Sequence, residues 1–172
     1  DPDNFYLSSM NRKRLNFEAM RDGMLQISEE LDLTMHGPSQ KLHTKPYSKR
    51  RAVYGYIDRQ NISPTLNSFD FANPNIHAPK RVETTVPQQA LFAFNHPFVI
   101  GRSAILAKKA FDSTATNPLS QVEFLYRQIL SRDPRKEEIK LGAEFLGPYT
   151  KLSNLEDLAQ TLLVSNEFFF TD

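Results

Sequence analysis

A mainly α-helical fold is predicted by three features of this chain. Apolar residues recur at steps of three and four along several segments, helix-start signatures stand ahead of most of them, and only one short stretch reads as a strand. Expected is an irregular helical domain with a long packed loop, a C-terminal three-helix bundle and at most a short strand or hairpin near Val53–Ile57. The 172 residues suit a single domain, with an N-terminal helix and loop at 1–48, an irregular segment at 49–85 and a helical part at 86–172.

The first helix is expected over 15–31, because Phe17, Met20, Met24, Ile27 and Leu31 share its face. Gly37 and Pro38 interrupt regular structure beyond it. Six basic residues between Lys41 and Arg59 face one acid, Asp58, which reads as a solvated loop. Ala52–Ile57 is apolar and aromatic, and its pattern fits a strand or a helical turn equally. From Ser63 to Pro79, Pro64, Pro74 and Pro79 predict irregular backbone, while Leu66, Phe69, Phe71 and Ile76 predict that it packs.

Helices are then expected near 87–95, 97–111, 118–131, 134–147 and 155–169. Thr85 and Gln88 fit a capping box ahead of Pro87, and Pro97 opens the next helix, with Ile100, Ala104, Ala107 and Phe111 on one face. Asn117-Pro118 and Asp133-Pro134 mark two further starts. Val122, Leu125, Tyr126 and Ile129 lie on the core side of one, and Ile139, Ala143 and Leu146 on that of the other. Gly147-Pro148 ends that helix, and Asn154 caps the last, which carries Leu155, Leu158, Ala159, Leu162 and Leu163.

Composition excludes several chemistries. With no cysteine there is no disulfide, thiolate nucleophile or Cys-based zinc site. A net charge of +1 provides no field for nucleic acid, and no apolar run reaches the roughly 20 residues of a membrane span. Six glycines do not form a phosphate loop or dinucleotide fingerprint, and no nucleophile elbow is present. His36, His43, His77 and His96 lack metalloprotease spacing. No catalytic residue, metal site or cofactor is therefore assigned.

Two polar groups stand out. Glu18, Arg21 and Asp22 meet at helical spacing one turn after Arg14, either as a surface ion network, the default, or as a partly buried arginine clamp fixing the helix to the loop. In the middle segment, Asp70 lies between two phenylalanines whose burial draws it inward, and it needs a cation. Arg81, with Arg59 as an alternative, is the expected partner. If the segment is instead a binding site, Asp70, His77, Arg81, Gln89 and Arg59 are its candidate residues, with Glu18, Arg21, Asp22, Thr85 and Pro87 structural.

The ordered set Arg14-Leu15, Glu18, Arg21-Asp22, Arg50-Arg51, Tyr54, Arg59, Phe69-Asp70, Arg81, Thr84-Thr85, Pro87, Gln89 and Asn95-His96-Pro97 resembles a planctomycete-type domain of unknown function. That family is DUF1553, the cytochrome-associated PSD domain. Asp1-Pro2-Asp3-Asn4 and Leu163, Ser165 and Glu167-Phe168 extend the resemblance over nearly the whole chain. Val86 and Gln88 depart from the family's pattern, which has Thr and an apolar residue there. The resemblance implies a fragment of a larger exported protein. Its partners would be other domains of the parent, a cytochrome c-like module among them, without nucleic acid or membrane insertion. It implies no catalytic residue. Residues 121–168, through Phe124, Tyr126-Arg127, Arg132 and Pro134, are also similar to a helical module of bacterial extracellular proteins usually regarded as structural. An interaction or scaffold module is the leading expectation. Part of a polysaccharide-acting enzyme and a docking module for a cytochrome c-like domain are the alternatives.

Overall fold

The computed structural model describes residues 4–6, 8, 10, 12–114 and 117–171, so Asp1, Pro2 and Asp3 of the family-like N-terminal motif lie outside the described residues. The fold is mainly α. Strand β1 (Lys13–Arg14) precedes helix α1 (Phe17–Ile27), a 3₁₀ turn (Ala52–Tyr54) and a short α2 (Pro64–Ser68). Helices α3 (Pro87–Asn95), α4 (Pro97–Ser113), α5 (Pro118–Leu130), α6 (Lys136–Leu146), α7 (Leu152–Leu163) and α8 (Asn166–Phe169) come next, and β2 (Phe170–Thr171) closes the chain.

The core is continuous from α1 to α8. Met20, Met24 and Leu25 of α1 join Val99, Leu106 and Ala110 of α4, Val122 and Leu125 of α5, and Leu155, Ala159 and Leu163 of α7 in one buried cluster. The most extensive helix pair is α4 with α7, followed by α5 with α6. Close approach of α5 and α6 relies on Gly142, where a Cβ would stand 2.7 Å from Cγ2 of Val122.

Several helix ends agree with the sequence signals. Asn117 Oδ1 accepts from the Leu119 amide, as an N-cap should, and Pro97 and Pro118 occupy first-turn positions where their missing N–H costs nothing. Gly147 ends α6 at a φ of 70°, a region that favours glycine.

Other ends differ. Helix α1 stops at Ile27, not 31, because Glu29 turns left-handed at φ 58°. Thr85 does not cap α3. The cap is Val86, without a side-chain bond, and the neighbouring Thr84 is held by Asp70 through both its amide and its hydroxyl. Helix α6 starts at Lys136, since Asp133 accepts from Arg127 Nε instead of capping, while Glu138 reaches back to the Arg135 amide. Asn154 lies inside α7, whose first turn begins at Leu152. The expected last helix is two helices, because the Ser165 hydroxyl receives the Phe168 amide and starts α8.

Three packing expectations also change. The core face of α4 comprises Phe98, Val99, Ser103, Leu106, Ala107 and Ala110, while Ile100 is exposed; α7 packs nearly one residue step around from the face read in the sequence. Ile76 is 68% exposed, on a loop rim, although Leu66 and Phe69 are buried as expected. The Ala52–Ile57 stretch forms the 3₁₀ turn and a single bridge, Gln40 to Gly55; the strands lie instead at the chain ends, antiparallel, with Lys13 opposite Thr171 and Arg14 opposite Phe170. That pairing, with the Leu15 amide on the Phe169 carbonyl at 2.8 Å, fastens the entry to α1 onto the C-terminal helices.

The C-terminal helices share one ionic tie. Arg132, at the α5–α6 junction, holds Glu138 with two hydrogen bonds of 2.8 Å, binds both oxygens of Glu167 on α8, and stacks over Tyr126. Arg132 thereby lowers the Glu138 carboxyl from its ordinary 4.5 to about 2. A carboxylate depressed in the folded state stabilises fully above its unfolded pKa and loses that contribution as pH falls towards the folded one. Thermal midpoints of wild type and Glu138→Gln should therefore differ at pH 7 and converge between pH 4.5 and about 2. A difference that stays constant over that window would dissociate Glu138 from the tie.

Candidate functional site along helix α1

The buried face of α1 contains a charged residue. Phe17, Met20, Arg21, Met24 and Leu25 recur at helical spacing, and Arg21 is only 1% exposed. A guanidinium removed from water needs acceptors, since leaving it unpaired costs several kcal/mol. Arg21 has three. It donates to the Ser48 carbonyl, to the Arg50 carbonyl at 2.9 Å and to Asp22 Oδ1 at 3.1 Å. Asp22 in turn accepts the Ala52 amide at 2.8 and 3.0 Å. Burial pushes Arg21 down and Asp22 up from their ordinary values, and their mutual attraction offsets part of both shifts. These contacts fasten residues 48–52 to α1. Arg21 and Asp22 thus form the buried clamp in place of the surface network expected by default, and Glu18 pairs elsewhere, with Arg81.

Arg50 continues inward. It is 6% exposed, lies 3.9 Å over the Tyr54 ring, and donates to the carbonyls of Thr34, His36 and Pro38. One member of the expected solvated basic loop is therefore an interior organiser of that loop. A guanidinium suits this role, because its planar fork reaches several acceptors and still stacks on a ring.

A second cluster lies beyond the N-terminus of α1. Asp70, left-handed at φ 58°, pairs with Arg14 Nη2 at 2.8 Å and accepts the Thr84 hydroxyl at 2.6 Å and amide at 2.9 Å. The Arg14 and Asp70 side chains are 8% and 14% exposed. Burial raises the Asp70 pKa, but the Thr84 bonds and the Arg14 charge outweigh it and leave the carboxyl below its ordinary value. Gln89, also buried, donates to the carbonyls of Ser68 and Thr84 at 2.8 and 3.1 Å.

The expected Asp70–Arg81 pair does not form. Arg81 instead grips Glu18 of α1 with both forks, at 2.8 and 3.0 Å, and lies 4.9 Å over Phe71. Burial raises the Glu18 pKa, and the bonds from Arg81 override it and hold the group below its ordinary value. The pairing moved because Arg14 on β1 already occupies the Asp70 carboxylate. The middle segment is pinned as expected, but by two pairs onto β1 and α1.

Of the candidate binding residues, Asp70, Arg81 and Gln89 gather around Arg14. His77 and Arg59 are exposed and take no part, although the Arg59 carbonyl accepts from Asn75. Arg14 and Arg50 as buried cations were missed; the aromatic residue four positions after Arg50 is the signal that points to it. Among the described residues no group of His, Asp or Glu is gathered to hold a metal. No single described helix is long and apolar enough to cross a membrane. The α3–α4 pair passes such a test together but is bent by 48°.

Between α1 and the segments it clamps runs a groove of about 660 Å³. Phe17, Leu31, Leu42, Ile57, Leu66 and Phe71 form its apolar wall, with Glu18, Asp22 and Arg51 along the rim. A family model described as PSD1, protein of unknown function (DUF1553), matches residues 1–146. No curated protein and no solved structure matches the chain.

Arg21→Met should cost about 3 kcal/mol in urea unfolding, because it removes the guanidinium from Asp22 and from the Ser48 and Arg50 carbonyls; a loss below about 1 kcal/mol is the behaviour of a surface pair. Thr84→Val should cost about 1 kcal/mol, whereas Thr85→Ala should stay within about 0.5 kcal/mol of wild type. The reverse order would restore the Thr85 cap.

Proposed function

The chain belongs to the DUF1553 family of unknown function, and within that family we propose that it is a non-catalytic interaction module of an exported multidomain protein. Its α1 groove seats an apolar segment from a neighbouring domain of the same polypeptide, for which a cytochrome c-like domain is one source. The observation that carries this reading is the division of labour along α1. The two carboxylates on the groove rim are engaged internally: Arg81 occupies Glu18, and Ala52 and Arg21 occupy Asp22. What faces outward is mostly apolar carbon on a wall held rigid by those contacts. Exposed apolar surface of this kind, rimmed by polar groups, is characteristic of interaction sites. Arg51, exposed on the rim, favours a segment with an acidic residue beside its apolar ones.

Hydroxyl-radical footprinting tests this without knowledge of the partner. Leu31, Ile57 and Phe71 should react several-fold less in the longer parent polypeptide than in this chain, and Val53→Asp, an exposed change on the groove wall, should restore their reactivity in the parent. Equal labelling in both proteins would contradict the proposal.

A further inference from the structure

We propose that the face between α2 and the C-terminal end of α3 binds a neutral saccharide. A concavity of about 440 Å³ opens there, away from the α1 groove and independent of its reading. That volume lies within the range of small-ligand sites, roughly 300–1,000 Å³. In a chain with 24% charged residues, no Asp, Glu, Lys or Arg among the described residues lines it. An ionic ligand would therefore find no counter-charge in the lining itself.

His96 is the one titratable residue in the lining among the described residues. His96 Nδ1 accepts the Phe98 amide at 3.2 Å, which places the ring hydrogen on Nε2 as a donor. Burial, with the Lys45 charge, lowers its pKa further. The His96 ring stacks on Phe92 at 4.3 Å between centroids, forming a ring wall.

The remaining groups combine amide, hydroxyl and apolar surface. Gln88, Leu91 and Asn95 share one exposed face of α3 at helical spacing. Asn95 Nδ2 donates back to the Leu91 carbonyl at 3.1 Å, which leaves its Oδ1 to accept. Thr65 on α2 supplies a hydroxyl that both donates and accepts. A pyranose presents the complementary pattern, with hydroxyls around its edge and an apolar C–H face that packs on rings and aliphatic carbon. Such chemistry fits this face better than a charged metabolite or a purely apolar ligand.

Isothermal titration of the full chain with cello-, xylo-, manno- and maltohexaose tests the proposal, with oligogalacturonide and oligoproline as controls. At least one neutral oligosaccharide should bind. Gln88→Ala/Asn95→Ala, which alters only exposed side chains, should weaken it about tenfold with an unchanged far-ultraviolet circular dichroism spectrum. Absence of neutral oligosaccharide binding at millimolar concentration would overturn the assignment. So would binding that survives the double substitution, or tighter binding of oligogalacturonide or oligoproline.

Discussion

A buried guanidinium organises the N-terminal half of this protein. Arg21 is on the core face of α1, where burial removes its water, and its Nη groups are met by carbonyls that local helix geometry does not supply. Residues 48–52 have to come to α1 to meet it. That approach brings Arg50 inside, and Arg50 then gathers the carbonyls of 34–38 around itself and Tyr54. A segment with little regular structure becomes a fixed wall of the groove through hydrogen bonds to two arginines. Hydrophobic burial alone does not direct backbone in this way, because it is non-directional.

The other half is built differently. Helices α4 to α8 meet through apolar side chains, with Arg132 tying three of them at one corner. The halves join where α1 packs on α4 and where β1 pairs with β2. The Arg14–Asp70 and Arg81–Glu18 pairs then attach the middle segment to that junction. Both proposed binding faces lie on this framework: the groove along α1, and the neutral concavity between α2 and α3.

The features legible in the sequence are those that depend on local chemistry. Proline at the first turn, Asn117 as a cap and Gly147 as a stop act within a few residues, and the helices they delimit are present. The features that were not legible depend on partners distant in sequence. Thr84 and Thr85 are alike locally, and only Asp70, fourteen residues earlier, selects Thr84. Asp70 did need an arginine, but Arg14 and Arg81 are equally suited by residue type, and the choice is made by β1 pairing with residues near the chain's end. Arg50 was indistinguishable from its basic neighbours because burial is a tertiary property. The fold class and family were readable for the opposite reason, since both rest on ordered local motifs along most of the chain.

Arg21 and Arg50 lie inside the protein with their Nη groups bonded to backbone carbonyls. Nuclear magnetic resonance of the guanidinium Nη–H groups measures this directly through exchange with water. Arg21 and Arg50 should exchange at least about tenfold more slowly than exposed Arg51 and Arg59, because their exchange requires local opening. Exchange of all four at the same rate would contradict the claim.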